Sequence, residues 1–414
     1  MKFGGTSVGD ADAIRRVAGI IDGARGQRCV VVVSAIAGAT RELLAIGEAA
    51  VQGGAAAARG LLDGLDARHQ RILERLDISS PLRADVDQWL ARSMRALGSQ
   101  IDRIERRGQC SAEMQDAMLV HGELLSSRLV FAATREIGLP SRWVDATKVM
   151  VTDDRFRAAR PDRNALARAV ESALRAPSSA GEIPITQGFI GATGDGRPTT
   201  LGFEASDYSA SLFGEALSAH EVQIWTDVPG MLTTGHPGIE GVHRIRRLSF
   251  EEAAVMSSFG AKVLHPRTVE PLVTHGIPLR IRDSRNAAGE GTLITIDGDG
   301  TRGIVKCLAV QHDANVGALR STMVRHADDR AGGSLVSLVG RDVGDCDDVR
   351  ERAAAVVEAS GFARIVPTRT PHAISLLVDP AAVAGLVQAL HAAFFGARLD
   401  AEIFAPMEPV ESAR

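Results

Sequence analysis

Apolar positions change their period along this chain, and the change divides it. Residues 29–33 (Cys-Val-Val-Val-Val) form an apolar, β-branched run that ends in small residues, Ser34-Ala35-Ile36-Ala37-Gly38. Such a run reads as a buried strand delivering a loop. From Arg41 to about Arg175, apolar residues recur at spacings of three and four, as at Ile72, Leu73 and Leu76, among Ala, Leu, Arg and Glu. That spacing predicts mostly helix, broken at Gly53-Gly54 and Ser79-Ser80-Pro81. Strand-like runs return at 183–190, 221–228 and 277–281, separated by helical stretches. Alternating strands and helices predict an α/β fold with a mostly parallel sheet between helical layers.

The last quarter has another rhythm. Asp297-Gly298-Asp299-Gly300-Thr301-Arg302-Gly303 is polar and glycine-rich and is the candidate linker. Strand patterns at 304–310, 334–340 and 374–378 then alternate with helical patterns at 347–359 and 380–395, the order of a small α+β unit. A chain of 414 residues exceeds one ordinary core, so at least two domains are expected.

Composition narrows the classes. With 45% hydrophobic and 24% charged residues the chain is an ordinary globular one. A net charge of −4 gives no footprint for nucleic acid or an anionic membrane. Cys29, Cys110, Cys307 and Cys346 are far apart and show neither a CxxC nor a Cys/His ligand spacing, so no metal ligand set is assigned and reduced thiols are expected. No run of about 18 apolar residues occurs, and no signal-peptide pattern opens the chain; a cytoplasmic protein is expected.

The first candidate chemistry is Lys2-Phe3-Gly4-Gly5-Thr6-Ser7. Gly4 and Gly5 allow backbone N–H groups close to phosphate oxygens, and Thr6 and Ser7 add hydroxyls. Lys2 offers a point charge to a reacting phosphoryl group. Alone, the run is also what a turn and helix cap look like. Further runs follow in order: His121-Gly122-Glu123-Leu124, Ile185-Thr186-Gln187-Gly188-Phe189-Ile190-Gly191, Thr200-Leu201-Gly202, Ser206-Asp207-Tyr208-Ser209-Ala210, Trp225-Thr226-Asp227-Val228-Pro229-Gly230 and Phe259-Gly260-Ala261-Lys262-Val263-Leu264-His265-Pro266.

Together these motifs resemble the aspartokinases of the amino-acid kinase family over residues 1–296. The resemblance implies the amino-acid kinase fold, ATP with Mg²⁺, and phosphorylation of the side-chain carboxylate of L-aspartate to 4-phospho-L-aspartate. It implies catalytic roles for Lys2 and Asp207, with Asp207 orienting the lysine. Ser34, Thr40, Glu123, Phe203 and Ser206 fall at acceptor positions, with Glu123 facing the substrate ammonium. Lys2, Gly4, Gly5, Thr6, Ser7, Thr226, Asp227 and Lys262 fall at nucleotide positions. By themselves Asp207 also reads as a helix cap, Glu123 as a solvated glutamate, and Ser34 and Thr40 as turn residues.

Three departures bear on the substrate. Phe203 stands where the family carries an arginine that clamps the α-carboxylate. Residues 231–238 (Met-Leu-Thr-Thr-Gly-His-Pro-Gly) lack an arginine the family has near the nucleotide. The first strand has almost nothing before Lys2. A kinase for another small acid, or a non-catalytic relative, are the alternatives. Arg41 and Arg128 are the candidate replacements for the lost charge. The family ends in two ACT regulatory units; here residues 304–333 read as a truncated first unit and 334–414 as an ACT-like unit and tail. Lysine or threonine inhibition is therefore expected to be weak, and a homodimer is expected through residues 334–400, with 334–340 as an open strand edge.

Overall fold

The computed structural model describes residues 1–407 apart from 203–204, 261–263, 265, 315–332, 362, 367–369 and 397–398. Phe203 and Lys262 therefore lie outside the described residues, as do His265 and residues 315–332 of the segment read as a truncated first unit. The chain forms two compact units: residues 1–227 with 282–287, and 228–281 with the residues from 288 onward.

The first unit is built on five parallel strands. They are β1 (Lys2–Phe3), β2 (Val31–Val33), β3 (Ser141–Trp143), β5 (Ile183–Gln187) and β8 (Val222–Thr226), in the order β8-β1-β2-β5-β3. β2 and β5 are buried at every position, the signature of strands covered on both faces. Helix α5 (Ala112–Glu136) packs on β2, β5 and β3, while α8 (Ser206–Leu217) packs on β8, β1 and β2. α1 (Ala11–Gly23), α2 (Ala39–Gln52), α3 (Gly54–Leu76) and α4 (Ser80–Arg107) extend the α5 side. A small sheet of β4 (Val151–Thr152), β6 (Ile190–Thr193) and β7 (Pro198–Thr200) completes the unit. The expected fold class is the observed one, but the helical reading of 41–175 misses β3 and β4. These strands have two and three residues, too short for a period to show.

In the second unit β10 (Arg247–Ser249) runs parallel to β12 (Thr292–Thr295), and β11 (Leu279–Asp283) runs antiparallel to β12. Helix α9 (Phe250–Ser258) starts with a capping box: Ser249 accepts from the Glu252 N–H, and Glu252 accepts from the Ser249 N–H. An antiparallel sheet of order β13-β14-β16-β15 follows, from β13 (Cys307–Ala314), β14 (Gly333–Val339), β15 (Ala363–Val366) and β16 (Ala373–Val378). The helices Asp347–Ser360 and Val383–Phe395 pack against each other beside it.

Two expectations need correction. β14 is an interior strand, paired with β13 and β16 along its length, so 334–340 is not an open edge. β13 was assigned to a separate truncated unit, yet it belongs to the same sheet as β14. The run 297–303 is also tied down. Lys306 sits 2.9 Å from Glu252 and 2.8 Å from Asp299, with Lys306 and Glu252 almost fully buried and Asp299 partly so. Gly298 takes a positive φ where a Cβ would come within 2.6 Å of the Ser249 nitrogen. The compact units divide at 227/228 rather than in that run.

Candidate active site

The site grows from the carboxyl ends of β1, β2 and β8, where parallel strands deliver loops around a crevice. Lys2 pairs in register with Val32 on one side and Ile224 on the other, so it is held in the middle of the sheet. Its ammonium lies 2.6 Å from Asp207, with the lysine side chain 10% and the aspartate 23% exposed. Asp207 sits in the first turn of α8, whose N-cap position is Ala205 without a side-chain cap. The ion pair, not capping, is what Asp207 does here.

Gly4 and Gly5 have different local reasons. A Cβ at Gly5 would meet the Ala35 carbonyl at 2.7 Å, so close packing of the two loops requires glycine there. The Gly4 N–H donates to the Trp225 carbonyl. Thr6 and Ser7 form a short 3₁₀ turn, and α1 is capped by Asp10 instead. The Ser7 hydroxyl reaches Ser284 at 2.8 Å, and Ser284 in turn donates to the Thr226 carbonyl. The β1 loop is thereby tied to the end of β8, where the Thr226 hydroxyl donates to Asp227.

Glu123 is 3% exposed on α5. Burial pushes its carboxyl up to about 8, against hydrogen bonds from the Ala35 and Glu123 N–H groups and the nearby charge of Lys2. Its Oε2 has no hydrogen-bond partner among the described residues. A buried carboxyl with an open oxygen beside a lysine is a seat for a further cation. Ser34 is held by its carbonyl, which accepts from Ser126, and Thr40 opens α2 just after the left-handed Gly38. Ser206 packs so tightly against Gly188 that a Cβ there would lie 2.8 Å from the Ser206 Cα.

Three residues that sequence reasoning missed shape this site. Asp116 is fully buried and accepts from the Arg157 N–H at 2.8 Å, the Thr200 N–H at 2.9 Å and the Thr200 hydroxyl at 2.7 Å. It fastens the turn carrying Arg157 to the strand end before Gly202. Arg285 pairs with Asp283 at 3.0 Å and donates to the Asp227 carbonyl, placing a guanidinium beside Asp227. No sequence signal pointed to any of them, because each works through backbone atoms of distant segments. Arg128, a candidate replacement charge, is consumed elsewhere. It pairs with Asp85 at 2.9 Å and stacks on Trp89, Phe131 and Trp143. Arg41 is exposed on the first turn of α2. A cavity of about 740 Å³ is lined by Ile20, Cys29, Val30, Phe213 and His220. It lies at the amino-terminal ends of β2 and β8 and is separate from this site.

The site thus joins a lysine–aspartate pair at the carboxyl end of a parallel sheet to a buried glutamate on α5. The amino acid kinase family model matches residues 1–283, and the chain belongs to that family. Within it the chain groups with the aspartokinases. It is 40% identical over 294 residues to the lysine-sensitive aspartokinase 3 of Escherichia coli, covering 71% of this chain and 63% of that protein. It is 35% identical over 313 residues to an aspartokinase of Chlamydia trachomatis, covering 75% of this chain and 68% of that protein. The solved structure of E. coli aspartokinase III with aspartate and ADP matches at a TM-score of 0.77 and 31% identity, over 95% of this chain and 99% of that one.

Proposed function

We propose that the chain is an ATP-dependent kinase that phosphorylates the side-chain carboxylate of L-aspartate, giving 4-phospho-L-aspartate and ADP. The observation that carries the reading is the Lys2 ammonium held against Asp207 with the buried carboxyl of Glu123 close by. Such an array suits phosphoryl transfer, which needs positioning and charge compensation more than covalent help. An acceptor carboxylate oxygen attacks the γ-phosphorus, and the bond to the bridging β,γ-oxygen breaks. The acceptor is already ionised at pH 7, so no general base is needed. Lys2 compensates charge on the transferring group, Asp207 orients Lys2, and Glu123 receives the substrate ammonium.

The nucleotide is assigned to Gly4, Gly5, Thr6, Ser7, Thr226 and Asp227, with Lys262 added from its motif. The kinship supports ATP use, since the matching E. coli structure holds ADP. Among the described residues no group of three or more His, Cys, Asp or Glu could hold a metal ion. Mg²⁺ is therefore assigned mainly to nucleotide phosphates and water.

A second reading keeps the chemistry and changes the acid. It rests on Phe203, an apolar side chain where a carboxylate-bearing substrate needs a cation. A coupled ADP-release assay over aspartate and a panel of amino and dicarboxylic acids tests both readings. Turnover confined to another acid replaces aspartate, and no turnover with any acid removes the kinase reading.

A further inference from the structure

Five described residues other than glycine have a positive φ: Asp77, Arg157, Phe189, Ser218 and Asp342. Asp77, Ser218 and Asp342 end or begin helical turns, where short polar side chains tolerate this conformation. Phe189 and Arg157 are bulky and have no such excuse. Both border the same stretch. The Phe189 carbonyl accepts from the Leu201 N–H. Arg157 is bonded through its N–H to Asp116, which also holds Thr200. Its carbonyl lies 3.5 Å from where a Cβ of Gly202 would stand. Two strained residues thus flank the segment Thr200–Gly202, and strain held in place by surrounding bonds marks functional positions.

Arg157 and Arg160 differ from the other arginines around them in having no ion pair among the described residues. Arg155 pairs with Asp153, Arg163 with Glu215 and Arg197 with Asp195. The Arg157 guanidinium has no ion-pair partner among the described residues, and the residue is exposed. A glycine would fit its φ of 70° without strain. The fold nevertheless keeps an arginine there and locks it with a fully buried carboxylate.

We propose that Arg157 receives the α-carboxylate of the acceptor and sets the specificity of this site for substrates that carry one. This rests on the aspartate-kinase reading. Aspartate brings two carboxylates and one ammonium. The reacting carboxylate goes to Lys2 and the ammonium to Glu123, and residue 203 offers no charge to the third group. The Arg157 backbone lies against Gly202, and an exposed arginine side chain starting there supplies a planar fork of donors for it. Asp116 is the positioning residue, acting through the Arg157 and Thr200 backbone.

The test pairs Arg157→Gly with Arg157→Lys, measured by calorimetric aspartate binding, by turnover and by thermal melting. Arg157→Gly should melt at or above the parent temperature, because it removes the backbone strain. Its affinity for aspartate should fall about tenfold or more, with the KM for ATP unchanged and Arg157→Lys intermediate. Preference for aspartate over β-alanine, which lacks the α-carboxylate, should shrink by the same factor. A merely structural Arg157 would not give a protein that is as stable but discriminates less. Aspartate affinity within about twofold of the parent in Arg157→Gly overturns the assignment. If the parent binds no aspartate, the aspartate reading has failed separately. The acid it does bind is then compared in the same variants, and unchanged affinity for that acid overturns the role of Arg157.

Discussion

At the scale of single residues, the site rests on one ion pair and one buried carboxyl. In the proposed mechanism Lys2 acts mainly in the transition state, so Lys2→Ala should lower kcat by about 100-fold or more in the coupled assay while leaving ATP binding measurable. A kcat within about threefold of the parent removes the role. Glu123 gives a pH signature. With its carboxyl pushed up to about 8 by burial, the empty site is mostly protonated at neutral pH. Only the anion pairs with an ammonium, so acceptor affinity should rise as pH goes from 6.5 to 8.5, by about twentyfold if the anion is roughly a tenth of the population at pH 7. Glu123→Gln should bind weakly and lose that slope; a parent KM for the acceptor that is flat with pH contradicts it. The same shift has a stability consequence. The folded state holds a proton that the unfolded state has already released above about pH 4.5, so this group's contribution falls as pH rises towards 8. Lys2, Asp207 and Glu123 were legible because ordered motifs named them. Asp116, Arg157 and Arg285 were not, since a backbone N–H or carbonyl as partner leaves no trace in residue identity.

At the scale of elements, periodicity named the long helices and the buried strands but not what holds them. The run 297–303 has the composition of a flexible linker, yet Asp299 and Gly298 make it a fixed turn against the α9 capping box. Burial alone would raise the Asp299 carboxyl, but Lys306 and Thr301 outweigh it and hold it below the ordinary range. Lys306 itself reads in sequence as one charge before an apolar strand, and its two carboxylate partners are 54 and 7 residues away in the chain. Lys306→Met should destabilise the protein by about 3–5 kcal/mol, because it leaves two buried carboxylates without a cation. Urea unfolding measures this, and a loss below about 1 kcal/mol would show that the carboxylates find other partners. Arg128 shows the opposite error. Sequence made it a candidate for substrate charge, but its aromatic surroundings show a packing role on α5.

At the scale of the whole molecule, the open questions are assembly and regulation. Lysine and threonine inhibition in the family depends on two ACT units, and an effector acts only through different affinity for two states. Here one four-stranded sheet is described, and it already includes β13. With β14 interior, the sheet has two edges. The β13 edge is partly covered, since Thr233 accepts from the Leu308 N–H and Thr234 bridges to Leu308. The β15 edge pairs with β16 alone among the described residues and exposes 44% of Ile365. An unpaired strand edge with an apolar side chain invites a second copy of the same strand. The expected assembly is therefore a homodimer formed through β15, with activity insensitive to millimolar lysine and threonine, singly or together. Ile365→Lys puts a charge on that exposed edge position and should shift the light-scattering mass from dimer towards monomer while Lys2-dependent activity persists. A monomeric parent removes the pairing argument, an unchanged dimer in Ile365→Lys moves the interface elsewhere, and strong inhibition at sub-millimolar lysine shows that one sheet suffices to build an effector site.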